Sequence, residues 1–163
     1  MSNDLKFKIS HKVTEDNSSN FTIKPLDRGY GITIGNSLRR ALLTAVPGAA
    51  ITNVKIEGAH HEFSTIDGVT EDVADIIMNL KGVRFHLFES KVEPIFLKVK
   101  GPNAFTAADI QAASDDFTIL NPDHHITDIA KGTTLEVELR LGIGKGYKSS
   151  EENKLNNSPV GMI

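Results

Sequence analysis

Glycines ahead of a helix are the first residues here whose type and spacing could do chemistry. Gly29-Tyr-Gly-Ile-Thr-Ile-Gly35 is followed by a helix-forming run. Such glycines let a backbone approach a phosphate, and a helix N-terminus attracts anions. The dinucleotide fingerprint has two residues between its second and third glycines, whereas this segment has three. A second glycine cluster, Gly142 to Lys148, has Lys145 followed by glycine instead of serine or threonine, so it is no Walker motif. The histidines fall as His60-His61 and His124-His125, with His11 and His86 alone. Neighbours on a strand face opposite sides, so neither pair readily chelates one ion, and no cysteine completes a zinc site. His60, His61 and Glu62 could exchange protons, but no nucleophile or second carboxylate is convincingly placed beside them. No catalytic residue, metal or cofactor is expected.

Arg39 and Arg40 are of another kind. They sit within Asn36-Ser-Leu-Arg-Arg-Ala-Leu-Leu43, where Leu38, Ala41, Leu42 and Ala45 follow helical spacing and Leu43 and Val46 widen the stripe. Adjacent helical positions point about 100° apart, so the two guanidinium groups do not easily share one role. A helix apolar over so much of its circumference leaves little solvent face. Arginine embedded in it fits a sandwiched helix, because arginine is favoured at interfaces.

The elements that must position these groups read as follows. The first twenty residues are polar, with a turn or loop at Glu15 to Asn20. Phe21 to Lys24 is a short strand ending at Pro25, and Leu26 to Gly31 is a glycine-punctuated turn. A helix begins near Asn36 or Ser37, either of which can cap free N–H groups, and Pro47-Gly48 ends it. Ala50 to Ile56 alternates with a one-residue slip. A helix from about Val69 to Lys81 carries the stripe Val69, Val73, Ile76, Ile77 and Leu80, with Gly82 as a left-handed stop. Strands follow at Val83–Phe88, Ile95–Lys100, Phe117–Leu120 and Thr133–Leu141, with a helical turn at Thr106–Asp109. Gly142, Gly144 and Gly146 then punctuate a break, and Ser149 to Ser158 is a polar, mobile stretch. A β-rich middle flanked by two pieces that belong together suggests an insertion.

Composition narrows the function classes. The 163 residues suit one generous domain or two small ones. A net charge of −3 gives no global attraction to nucleic acid or anionic membranes. No apolar run is long enough to span a bilayer, and the first residues lack the apolar core of a signal peptide. With no cysteine, a cytoplasmic location is the simple expectation. The absence of tryptophan and the presence of only two tyrosines leave base stacking poorly supplied.

Several stretches then carry a specific likeness. Pro25-Leu-Asp-Arg-Gly-Tyr-Gly-Ile-Thr-Ile-Gly-Asn-Ser-Leu-Arg-Arg-Ala-Leu-Leu43 resembles the signature of the bacterial RNA polymerase alpha subunit family. His61-Glu-Phe-Ser-Thr65, Gly68-Val-Thr-Glu-Asp-Val73, Asn79-Leu-Lys-Gly82, Ala107-Ala-Asp-Ile110, Ile119-Leu-Asn-Pro122 and Gly144-Lys-Gly-Tyr147 continue it in order. The likeness runs from about Phe21 to the last residue. It implies an α+β chain in which a β-rich domain, residues 49–142, is inserted into a dimerisation and assembly domain. That outer domain would comprise residues 1–48 and the start of its return, 143–163. In the family this part is a non-catalytic scaffold of DNA-directed RNA polymerase, itself a nucleotidyltransferase. It pairs with a second alpha subunit and recruits the β and then the β′ subunit. By position, Arg40 and Leu43 would contact β with Asn36 and Arg39 nearby, and Lys81 would face the large subunits. DNA contact would need a carboxy-terminal domain that does not follow Ile163 here, and no membrane is implied.

The family continues beyond this point with another strand and a long helix, so the apolar ending Val160-Gly-Met-Ile163 suggests truncation. Leu38, Leu42 and Leu43 would then lack a family partner and either recruit another copy or leave the segment poorly ordered. The alternative from another class is a small nucleotide-binding enzyme using the Gly29–Gly35 loop.

Overall fold

The computed structural model describes residues 7–15, 18–88, 93–154 and 161–163. The chain divides into two compact units, Met1–Ala45 and Val46–Ile163.

In the first unit β1 (Lys8–Glu15) pairs antiparallel with β2 (Ser18–Lys24), from Lys8 opposite Lys24 to Glu15 opposite Ser18. Neither strand buries a residue, which explains why the polar β1 carries no alternation that marks it as a strand. The expected loop at Glu15 to Asn20 is narrower than anticipated, because Ser18–Asn20 already belongs to β2; Asp16 and Asn17 lie outside the described residues. Helix α1 then spans Tyr30–Ala45. It starts six residues earlier than Asn36. Gly29, with φ +91°, turns the chain, and the Tyr30 N–H donates to the Asp27 carbonyl at 3.1 Å. Ser37 cannot cap, since its hydroxyl donates back to the Thr33 carbonyl at 2.8 Å.

The second unit is built on a five-stranded antiparallel sheet ordered β5-β9-β3-β4-β7. Its spine is β3 (Pro47–Ile56) against β9 (Thr134–Lys145), paired from Pro47 opposite Lys145 to Ile56 opposite Val137. The one-residue slip legible in Ala50–Ile56 is a register shift between Ile51 and Asn53. The expected break at Gly142 and Gly144 does not occur. Both glycines continue β9, opposite Ala50 and Gly48, because the pairing to β3 holds them extended. β5 (Ile95–Lys100) flanks β9, while β4 (Phe85–Leu87) and β7 (Phe117–Ile119) extend the other side. On that side too, Val54 and Ile163 exchange two backbone hydrogen bonds of 2.8 Å each. A separate pair joins β6 (Asn103–Thr106) to β8 (His125–Ile129).

Period-two alternation sends Ile95, Leu97 and Val99 of β5 and Leu135, Val137 and Leu139 of β9 into one core. Helix α2 (Val73–Lys81) covers it with Val73, Ile76 and Leu80, as the stripe predicts. The helix begins four residues later than Val69, since Asp72 is its cap, accepting from the Asp75 N–H at 2.8 Å. Val69 instead forms a lone β-bridge with Ile129. Gly82 is also not a left-handed stop: its φ is −77°, and glycine is needed because a Cβ there would sit 2.5 Å from His124 Nε2. Helix α3 (Ala107–Gln111) carries a Thr106/Asp109 capping box and buries Ala107 and Ile110. Phe85 and Phe117 meet edge to face at 5.4 Å. The stretch expected to be mobile opens with α4 (Ser150–Asn153), capped by Ser149 and Glu152; residues 155–160 lie outside the described residues.

Candidate functional site

Helix α1 has 16 residues and buries none of them. At about 100° per residue it presents two faces. Ile34, Leu38, Ala41, Leu42 and Ala45 recur at spacings of three and four along one side. On the opposite side stand Ile32, Asn36, Arg39, Arg40 and Leu43, again three and four apart. The two arginines therefore flank a stripe that runs from Asn36 to Leu43, and their divergence of about 100° widens one surface without dividing it. The four residues expected to act together on this helix share a face. Ile32, 75% exposed, shares it too. Its membership was hidden by placing the helix start at Asn36; a helix beginning at Tyr30 carries the same spacing back one turn.

This surface is unusual for a solvated one. Leu43 is 59% exposed and Leu42 67%. Neither Arg39 nor Arg40 has an ion-pair or side-chain hydrogen-bond partner among the described residues. Leucines on both sides and unpaired guanidinium groups leave α1 with apolar area and five-donor forks to offer. The segment Gly29–Gly35 is not the loop it was expected to be. Tyr30 to Gly35 is helical, and an added Cβ at Gly31 or Gly35 meets nothing within 4 Å. A phosphate cradle needs a loop whose N–H groups converge, and those N–H groups here belong to a continuous helix.

Lys81 lies in the other unit, exposed in the last turn of α2, where its charge complements the helix dipole. His60, His61 and Glu62 do not converge on a reacting centre. Ser64 Oγ accepts from the N–H groups of His60 and His61 at 3.3 Å each, and the His61 ring accepts from the Phe63 N–H at 3.2 Å, which makes this a local turn. His124 is likewise held, with Nε2 2.8 Å from the Asn79 carbonyl. Asn79 in turn donates to the Ile126 carbonyl at 2.8 Å, so α2 and β8 are locked together around that imidazole. Among the described residues no helix is long and apolar enough to cross a membrane.

Comparison with known proteins identifies the family of the chain. The sequence profile of the RNA polymerase Rpb3/RpoA insert domain matches residues 54–163, two thirds of the chain. DNA-directed RNA polymerase subunit alpha of Salinibacter ruber is 52% identical over 148 residues, covering 91% of this chain and 45% of its own length. The same subunit of Limosilactobacillus reuteri is 52% identical over 156 residues, covering 94% and 49%. That of Chloroherpeton thalassium is 49% identical over 143 residues, covering 88% and 44%. The chain thus spans about half the length of the curated relatives it matches. The chain belongs to the RNA polymerase Rpb3/RpoA insert-domain family, that of bacterial RNA polymerase alpha subunits.

Proposed function

We propose that this chain is the assembly-bearing part of an alpha subunit of DNA-directed RNA polymerase, acting in transcription as a cytoplasmic, non-catalytic scaffold. It pairs with a second alpha subunit and binds β and β′. Arg40 and Leu43 contact β, Asn36 and Arg39 lie at the edge of that contact, and Lys81 faces the large subunits. The observation that carries the reading is the state of α1: two faces, no buried residue and two arginines without partners among the described residues. A helix of this kind gains its stability from what docks on it.

The same reading assigns residues 49–142 to an inserted domain, with residues 1–48 and 143–163 belonging to the outer one. Its support is the ladder itself. Pro47 is opposite Lys145 and Gly48 opposite Gly144, so the chain enters and leaves the insert side by side. Termini that lie together are what an inserted domain requires.

The test is Arg40→Ala in the full-length subunit, with β-subunit capture and thermal unfolding measured in parallel. The expected result is β binding weakened by about tenfold or more, the range of an interfacial arginine, at an unchanged melting temperature. Lost stability with β binding intact would sink the assignment.

A further inference from the structure

We propose that Glu71, His125 and Asp128 form a three-ligand site for a transition-series divalent cation, zinc above all, on the Val46–Ile163 unit. One donor atom from each residue lies within 4.8 Å of the other two. His125 and Asp128 are three apart on β8 and its bulged start, and Glu71 comes from the segment just before α2. The sequence spacing conceals this arrangement. His125 is joined by Asp128 of its own strand and by the distant Glu71 instead of by its neighbour His124, whose ring meets the Asn79 carbonyl.

One distance fits this reading. His125 Nε2 and Asp128 Oδ1 stand 3.4 Å apart. A charge-assisted N–H···O contact closes to about 2.7–2.9 Å, and Lys98 and Glu136 of this same unit do so at 2.8 Å. Two atoms each about 2.1 Å from a tetrahedral zinc lie about 3.4 Å from one another. The His125–Asp128 gap is therefore long for a hydrogen bond and right for two ligands of one metal.

Glu71 is already oriented. Its Oε2 accepts from Thr127 Oγ1 at 2.6 Å and from the Asp128 N–H at 3.0 Å. Ligating carboxylates are commonly held in this way through one oxygen, which leaves Oε1 for the cation. The His125 and Asp128 side chains are 45% and 58% exposed, so the ion can enter from solvent and keep water in its fourth position. One imidazole and two carboxylates favour zinc, cobalt, nickel or copper. Magnesium and calcium prefer all-oxygen shells of six or more ligands.

The experiment is titration of the chelator-treated chain with zinc chloride by calorimetry and with cobalt chloride by visible absorption. Histidine ring resonances report which imidazole moves. The expected result is one equivalent bound, with the shift on His125. Affinity should fall about tenfold or more in His125→Ala and in Glu71→Gln, and stay unchanged in the double variant His60→Ala/His61→Ala. Glu71→Gln keeps an acceptor for Thr127; should it disturb the fold, Asp128→Asn, on an exposed side chain, takes its place. No binding, undiminished binding in His125→Ala, or several equivalents spread over the other histidines would overturn the proposal.

Discussion

The Glu71 carboxylate takes two hydrogen bonds from β8 at once, from Thr127 Oγ1 and the Asp128 N–H. Burial pushes its proton affinity up, but the Thr127 hydroxyl, the Asp128 and Glu71 N–H groups and nearby His125 outweigh that, so its pKa is lowered. A carboxyl depressed in the folded state contributes stability above its unfolded pKa, about 4.3 for glutamate. That contribution is lost as pH falls through the lower folded value. In a chelator-containing buffer, unfolding midpoints measured from pH 6 down to pH 2 should therefore decline less steeply for Glu71→Gln than for the parent chain. Parallel declines would show that the carboxylate adds nothing there. Residue-scale features of this sort were only partly legible in the sequence. Asp72 and Gly82 bracket α2 as its ends require, yet the reason for Gly82 is the ring of His124, a residue 42 positions away just ahead of β8 that no local pattern announces. Asn36, Arg39, Arg40 and Leu43 could be placed on one helix from their spacing alone. What docks there could not, because a binding face and a solvated face differ in partners and not in periodicity.

At the scale of elements, glycines of like appearance have opposite meanings. Gly101 donates its N–H to the Thr133 carbonyl at 2.9 Å, and a Cβ on it would overlap the carbonyl oxygens of Ile129 and Ala130. Gly35 stands inside α1 with open space around it. Gly101→Ala should cost about 3 kcal/mol through displaced backbone, seen as a lower denaturant midpoint. Gly35→Ala should instead raise helix content, since alanine is favoured over glycine by about 0.5–1 kcal/mol in a helix. Circular dichroism on both variants checks the contrast. If α1 docks a partner closely through Gly35, the helical gain comes with weaker β-subunit capture. Elements were readable where one face is buried: β5, β9 and α2 declare themselves by alternation or by a stripe. They were misjudged where neither face is. β1 has no buried position to set a period, and α1 extends six residues further back than Asn36, with Ser37 bonding within the helix instead of capping it. β8 carries no readable signal because it is only five residues long and starts at His125, directly after the polar turn that ends at His124.

For the whole molecule, the contrast between the two units is the main physical fact. Every buried residue among those described belongs to Val46–Ile163, and none to residues 7–45. Apolar burial stabilises by about 25 cal/mol per Å², so cohesion is concentrated in the second unit. Amide hydrogen exchange should accordingly give β3 and β9 high protection and α1 little at dilute concentration. Protection of α1 should rise with concentration as copies associate through Leu38, Leu42 and Leu43. Sedimentation of a strictly monomeric chain whose α1 is already well protected would contradict this picture. The α+β character and the β-rich middle were both readable in advance, since they follow from long periodic runs. The exposure of Leu38, Leu42 and Leu43 in the first unit was readable only as a mismatch between many leucines and few residues to cover them.

The antiparallel register of β3 and β9 has a mechanical corollary. Pro47 and Lys145 face each other at the same end of the ladder. Tension applied through those two points opens the pair as a zipper, breaking one rung after another at low force. Tension applied through Pro47 and Val137, at opposite ends, loads all the rungs together in shear and meets far greater resistance. Whatever pulls on this unit through Pro47 and Lys145 therefore finds the weakest direction of its longest strand pairing. A body attached by those points keeps its shape only where its neighbours carry the load.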